Sequence, residues 1–231
     1  MSKTVLNIRP LAIAAIVFFV LWLCSVMPVS ARADEPKPIL HSKGLLWKIE
    51  KSGQPENYLF GTIHLDDPGI ATLLPPISGA LGRVQQFAME VVMDFQAMGT
   101  FTRASFFDDG RNLKQLMALQ DYKTLIDLLE RQRGLSENVV NNMQPWALYA
   151  LLSMPADKGG IPLDLQLEQR ARQRGLSVHG LETVEEQIAA LNGLPIDEQV
   201  WLLNNVVQRY EDMEKMFSVM LESYLQQDLG R

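Results

Sequence analysis

The order in which apolar periodicity changes along the chain constrains the fold more than any other feature of the sequence. Short segments rich in aromatic and β-branched residues predict strands at residues 45–50, 58–64, 87–92 and 177–181. A linker containing Gly53 and Pro55 joins the first two as a hairpin. Helical periodicity fills most of the remainder. This order predicts an α/β domain with a small mixed sheet and a large helical insertion.

Local signals mark where the helices begin. Pro145 fits the first turn of one helix, where no backbone N–H is required. Asp164 is interpreted as the cap of the next helix. Thr183 and Glu186 form a T-x-x-E capping box for a third.

A long final helix is expected from Asp197 to about Gln227. Its apolar residues recur at near-heptad spacing, which fits either a coiled-coil arm or an ordinary packed helix. Further helices are predicted within 73–84, along 113–129, from Pro145, over 163–174 and after Thr183.

The first 33 residues have the three parts of a secretory signal peptide. Lys3 and Arg9 precede an uncharged apolar run over 11–26, and Ala31-Arg32-Ala33 supplies an A-x-A cleavage signature. The alternative is a retained membrane anchor, although the run is short of the roughly 20 residues that cross a bilayer. We therefore divide the chain into a signal peptide (1–33), an extended leader (34–43) and one domain (44–231). The cleaved product would be periplasmic or secreted, with membrane attachment only through an uncleaved signal.

Composition excludes several classes of function. Cys24, inside the signal peptide, is the single cysteine, so the mature chain has neither a disulfide nor a thiolate site. Cleavage removes three of the 21 basic residues and no acid, which leaves 18 against 27 and a balance of −9. An acidic chain without a basic block is a poor nucleic-acid partner. The sequence also lacks a phosphate-binding glycine loop, an H-E-x-x-H motif and a G-x-S-x-G elbow.

Three residues near strand ends are candidates for chemistry. His64 ends the strand containing Gly61-Thr62-Ile63-His64, and ligands of α/β sheets gather beyond such ends. Glu90 lies in an apolar strand, where a carboxylate is costly unless it faces solvent, pairs with Arg83 or Arg103, or binds a cation. Glu182 precedes a helix N-terminus, and the helix dipole alone would explain an acid there.

Four stretches together resemble the TraB/GumN family: LLWKIEKSGQPENYLFGTIHLDDP, FAMEVV, QPWAL and GLETVEEQ. The resemblance is to the GumN-like bacterial branch, and it implies a fold like the erythromycin-esterase/ChaN group. It also implies metal-dependent hydrolysis, which is proteolytic in the animal branch, of an unknown peptide or envelope substrate. His64 and Glu90 match residues expected to bind the metal, and Glu182 matches an acid expected to act as ligand or general base. Ligation by nitrogen and oxygen suits Mn, Co, Zn or Fe(II) without choosing among them.

The sequence departs from the family pattern in one respect. The family has a second Gly-x-x-His motif after the long helix, and none follows Gly61 in this sequence. We therefore expect a site incomplete at its C-terminal side, weak metal binding, and a chain that is inactive or nearly so. An unpaired sheet edge and an uncovered apolar stripe would also favour self-association.

The sequence is also compatible with two other functions. The domain could bind a metal, haem or an envelope ligand without turnover. It could also be a structural envelope protein that uses its long helix to bind a partner.

We predict cleavage after Ala33, because the A-x-A signature follows an apolar run with a basic start. Intact-mass measurement of the exported protein should give a chain that begins at Asp34. Recovery of the full-length chain from the membrane fraction alone would contradict this prediction.

Overall fold

A short antiparallel hairpin begins the part of the chain that the computed structural model describes, which is residues 43–65, 67–155 and 160–228. Strand β1 (Leu46–Ile49) pairs with β2 (Asn57–Phe60), with Leu46 opposite Phe60. The expected hairpin is therefore present. The expected signal peptide and nearly all of the expected leader lie outside the described residues. Within the described ranges, no helix combines the length and apolar character that a membrane crossing requires.

A second pair of strands forms the part of the fold that positions the candidate residues. Strand β3 (Gln86–Met89) pairs with β4 (Ser177–Gly180) in parallel, with Met89 opposite Gly180. The α/β class is confirmed. The single mixed sheet is wrong for the described residues, which form one antiparallel and one parallel pair.

Ten α-helices accompany these strands in the described residues, together with a 3₁₀ helix at Pro68–Leu73. They are α1 (Leu74–Leu81), α2 (Phe95–Ala104), α3 (Leu113–Leu116), α4 (Leu119–Arg133), α5 (Glu137–Asn141), α6 (Pro145–Leu152), α7 (Leu163–Gln173), α8 (Val184–Asn192), α9 (Ile196–Gln208) and α10 (Tyr210–Leu225). Helices α2 to α7 lie between β3 and β4, which confirms the large helical insertion.

Helix α7 covers the parallel pair of strands. Leu163, Leu167 and Ala171 recur every four residues and are almost fully buried, so one face of α7 contributes to the core beside the sheet. Gly175, with a φ of 73°, makes the left-handed turn that connects α7 to β4. Because α7 packs on β3 and β4 and the turn is short, its N-terminus lies toward the carboxyl ends of the strands.

The expected long final helix is two helices. It begins at Ile196 after Pro195 instead of being capped by Asp197, and it breaks at Arg209, where φ is −111° and ψ is 17°. The break lets one apolar stripe serve two cores. Leu203 and Tyr210 are buried in a helical core with α4 and α6, whereas Tyr224 is buried in the core beside the sheets. The packed-helix interpretation therefore holds, and the coiled-coil arm does not.

Tyr224 ties α10 to the segment that follows β2. Its hydroxyl donates a hydrogen bond to the carbonyl of Gly61 at 2.7 Å, and only 6% of the residue is exposed. We predict that Tyr224→Phe lowers the free energy of unfolding by about 1 kcal/mol, because a part-buried carbonyl loses its partner. Chemical denaturation measures the change.

Tyr58→Phe is the matched control, since its hydroxyl donates to Glu56 near the surface. We expect a smaller loss there. An equal effect of both substitutions would show that the bond to Gly61 is not specially stabilising.

Candidate functional site

The candidate site forms where three chain segments and one helix N-terminus meet. The segments are the chain after β2, which carries His64, and the ends of β3 and β4, which lead to Glu90 and Glu182. Helix α7 contributes Asp164 from its first turn. The carboxyl ends of parallel strands commonly form ligand sites, and Glu90 and Glu182 lie just past such ends.

The segment with His64 is held on several sides although it is not a strand. β2 ends at Phe60, so the expectation that His64 ends a strand is wrong. The Gly61 N–H donates to Leu45, and the Gly61 carbonyl accepts from the Tyr224 hydroxyl instead of a neighbouring strand. Ile63 is buried, and the Leu65 carbonyl accepts from the N–H of Leu163 at the start of α7. These contacts fix the backbone on both sides of His64.

Glu90 and Glu182 are adjacent through their backbones. Strand β3 ends at Met89, so Glu90 lies just past its end and not inside it. The N–H of Glu182 donates to the Glu90 carbonyl at 2.9 Å, which continues the pairing beyond the strands. Gly180 makes this approach possible, because a Cβ there would lie 2.8 Å from the Glu182 carbonyl oxygen.

His64 lies between two carboxylates. Its Nδ1 is 3.1 Å from Oδ2 of Asp164, and its Nε2 is 3.7 Å from Oε2 of Glu90. About half of the His64 and Glu90 side chains is exposed, whereas only 15% of the Asp164 side chain is exposed. The approach of His64 to Glu90 is within the roughly 6 Å that two ligands of one metal require.

The two carboxylates stabilise a positive charge on the imidazole. Hydrogen bonding to Asp164, and then to Glu90, raises the pKa of His64 to about 10, against a smaller opposing effect of burial. In return, His64 lowers the pKa of Glu90 below its usual value. Without a metal, these contacts favour the protonated imidazole.

Asp164 is the residue of this site that sequence reasoning missed. The sequence predicts that Asp164 caps a helix, but Pro162 occupies the N-cap position of α7 and makes no side-chain cap. The Asp164 carboxylate contacts His64 instead, and its Oδ1 is buried without a hydrogen-bond partner. Pro162 was the available sequence signal, because a proline two residues before Asp164 indicates that the helix begins earlier and that another residue occupies the cap position.

The alternative partners considered for Glu90 are engaged elsewhere. Arg83 contacts Tyr58 and Glu56 on the hairpin. Arg103 donates to Thr100 within α2. Glu90 is instead half-exposed and faces His64. The solvent interpretation therefore holds in part, and the pairing with Arg83 or Arg103 is wrong.

The expected capping box beside Glu182 is present. Thr183 caps α8, and Glu186 completes the reciprocal bonds. Glu182 therefore lies one residue before the cap. Its part in chemistry stays a prediction.

Nε2 of His64 and Oε2 of Glu90 face each other and meet some of the requirements of a divalent-metal site. Two ligands about 2.0–2.2 Å from a tetrahedral ion lie about 3.3–3.6 Å apart, close to the separation of His64 Nε2 and Glu90 Oε2. Contact between Nδ1 and a carboxylate is the arrangement that commonly orients a metal-binding histidine. In the described part of the chain, however, no three His, Cys, Asp or Glu side chains are grouped so that they could hold a metal.

Comparison with known proteins identifies a family and several relatives. The model of the TraB/PrgY/gumN family matches residues 45–231. Metalloprotease TIKI2 of Danio rerio is 25% identical over 213 residues, which cover 79% of this chain and 41% of that protein. Metalloprotease TIKI1 of Danio rerio is 26% identical over 80% of this chain and 43% of its own length.

The human metalloprotease TIKI1 is 25% identical over 73% of this chain and 39% of its own length. The chain thus spans about two-fifths of the length of these relatives. No solved structure matches.

We predict that His64 remains protonated at neutral pH in the metal-free protein, because Asp164 and Glu90 raise its pKa to about 10. A pH titration of the His64 imidazole followed by NMR measures this. Asp164→Asn should lower the pKa of His64 more than Glu90→Gln does, since hydrogen bonding to Asp164 is the larger cause.

The same shift fixes the pH dependence of stability. The stabilisation is complete below the usual histidine pKa of about 6.5 and is lost as the pH rises through about 10. The free energy of unfolding of the native chain, relative to His64→Asn, should therefore fall over that interval. A titration midpoint near 6.5 would show that the contacts with the two carboxylates do not hold in solution.

Proposed function

The chain belongs to the TraB/PrgY/gumN family, and from that premise we propose that it is an exported, metal-dependent hydrolase that cleaves polypeptides. Its curated relatives are named metalloproteases, which supports the reaction class. The fold would be like that of the erythromycin-esterase/ChaN group. Export rests on the sequence of residues 1–33, whose apolar run and A-x-A signature favour it.

The observation that carries the proposal is the placement of His64 between Asp164 and Glu90. An imidazole whose Nδ1 is fixed by a carboxylate presents Nε2 in one tautomer and one orientation. Nε2 here faces a second, half-exposed carboxylate at the open end of the strands. This arrangement is more specific than a surface ion pair, because Asp164 is largely buried and its position is set by α7.

We assign His64 and Glu90 as ligands of a divalent metal and Asp164 as the residue that positions His64. When bound, the metal would polarise the scissile carbonyl as a Lewis acid. The Nδ1–H of His64 donates a hydrogen bond to Asp164. Once the proton on Nε2 has left, the Nε2 lone pair is available to bind the metal. We assign Glu182, whose backbone N–H donates to the Glu90 carbonyl, as a further ligand or general base.

The ligand set leaves the identity of the metal open. One imidazole and carboxylates suit Mn, Co, Zn or Fe(II). The absence of thiolate ligands follows from the single cysteine at position 24. Because a proton competes for Nε2 of His64, we expect metal affinity to rise with pH.

A binding module without turnover is the second candidate. It would hold a metal, haem or an envelope ligand. One observation favours it: within the described ranges, no three potential ligands come together. A site with only two donors binds metal weakly and leaves several coordination positions to water.

We expect the native chain to hydrolyse a peptide library only slowly with metal, because no three potential ligands come together in its described residues. We predict that His64→Asn and Glu90→Gln each abolish this slow hydrolysis. Asp164→Asn should instead weaken metal binding about 10- to 100-fold, the usual effect of removing a partner of a ligating histidine. Calorimetric titration with Mn, Co, Zn or Fe(II) alone measures binding, and mass spectrometry of the library measures cleavage.

His179→Asn is the matched control, because His179 is an exposed histidine on the neighbouring strand β4. It should leave both measurements unchanged. Metal binding that requires His64 without any cleavage would favour the binding module. Cleavage that survives His64→Asn and Glu90→Gln would refute the assigned site.

A further inference from the structure

Large apolar side chains are exposed on the two segments that leave the candidate site. Met93 and Leu181 are 37% and 64% exposed, and each lies within three residues of Glu90 or Glu182. Phe95 and Met98, in the first turn of α2, are 89% and 48% exposed. We call Met93, Phe95, Met98 and Leu181 the apolar rim. A phenylalanine that is nearly nine-tenths exposed contributes little to folding.

Helix α2 has packing partners, so a missing partner does not explain why the residues of the rim are exposed. Helix α2 packs against α8, and Phe101 lies edge-on to the buried ring of Trp146 with the ring centroids 5.6 Å apart. Phe95 and Met98 are three positions apart and therefore share one side of α2. Helix α2 thus has an inward contact through Phe101, and it additionally exposes two large apolar residues next to its start.

The rim is continuous with the site. The Leu181 N–H donates to the Met89 carbonyl at 2.8 Å, so Leu181 leaves β4 directly beside the end of β3. A Cβ on Gly180 would lie 3.4 Å from the backbone nitrogen of Val92, which places the Leu181 and Met93 segments side by side. The apolar surface therefore begins where Glu90 and Glu182 pair.

The charges around the rim disfavour an anionic membrane surface as its partner. Exposed apolar residues grouped beside a polar site commonly mark a binding surface. Asp94 caps α2, and Glu185 lies in the first turn of α8, so acids border the rim. Acidic side chains repel the anionic headgroups of a membrane surface. They do not oppose a polypeptide with large apolar side chains.

We propose that the apolar rim binds large apolar side chains of a polypeptide substrate next to the bond that is cleaved at His64 and Glu90. The inference rests on the proposed function, whose substrate it specifies. Phe95 and Met98 contact the substrate from α2, and Leu181 contacts it from the end of β4.

Two labelled decapeptides test the proposal, one with Leu, Phe and Met at its centre and one with Ser at those positions. Fluorescence anisotropy measures their binding to the native chain and to Phe95→Ser and Leu181→Ser, with cleavage measured in parallel in the presence of metal. Each substitution should weaken binding of the apolar peptide about tenfold, the effect of removing a modest apolar contact. Binding of the Ser peptide should not change.

Leu119→Ser is the matched control, because Leu119 is 62% exposed at the start of α4, away from the strand ends. It should leave the peptide preference intact. Thermal denaturation should be unchanged in all three variants, since each side chain is largely exposed. Flotation with phosphatidylcholine vesicles tests a lipid surface as the alternative occupant.

The outcomes separate this inference from the proposed function. Apolar preference that depends on Phe95 and Leu181 but not on Leu119 supports the rim; if no cleavage accompanies it, the catalytic proposal fails and the rim remains a peptide-binding surface. Cleavage without apolar preference overturns the rim and leaves the catalytic proposal standing. Absence of peptide binding, or vesicle binding that requires Phe95, also overturns the rim.

Discussion

The site depends on the parallel pairing of β3 with β4, which brings together segments about 90 residues apart in the sequence. Closing a loop of this length costs conformational entropy, although the cost grows only slowly with loop length. Burial of one face of α7 in the core beside the sheet offsets that cost. The pairing continues past the strands to Glu90 and Glu182, where Gly180 leaves room for the close approach. Packing of α7 and of the segment after β2 then sets Asp164 and His64 beside Glu90.

The electrostatics of the cluster follow from this packing. Asp164 is mostly buried, and burying a carboxylate is costly unless a cation or donor accompanies it. The imidazole of His64 contacts Oδ2 of Asp164, while Oδ1 of Asp164 has no hydrogen-bond partner. The imidazole thus stabilises the negative charges when it is protonated. A divalent cation would take over that role when the Nε2 proton leaves, which links metal affinity to pH.

Polar and apolar chemistry lie side by side at the strand ends. The ion-pair cluster occupies the end of the parallel strands, and the apolar rim begins on the segments that leave them. A substrate chain lying across this end would meet both. Substrate-binding sites commonly combine apolar contacts with a few polar groups in fixed positions. We assign the polar role to the ion-pair cluster and the apolar contacts to the rim.

The sequence by itself determined the α/β class, the hairpin, the box at Thr183 and Glu186, and the candidates His64 and Glu90, because these depend on local periodicity, turn chemistry and motif resemblance. Only the tertiary structure decided that Asp164 contacts His64 instead of capping α7, and that the last helix breaks at Arg209. It also ended β2 at Phe60, where Tyr224 takes the place of a strand partner for Gly61. Each of these depends on a partner far away in sequence. Local propensity carries no information about such a partner.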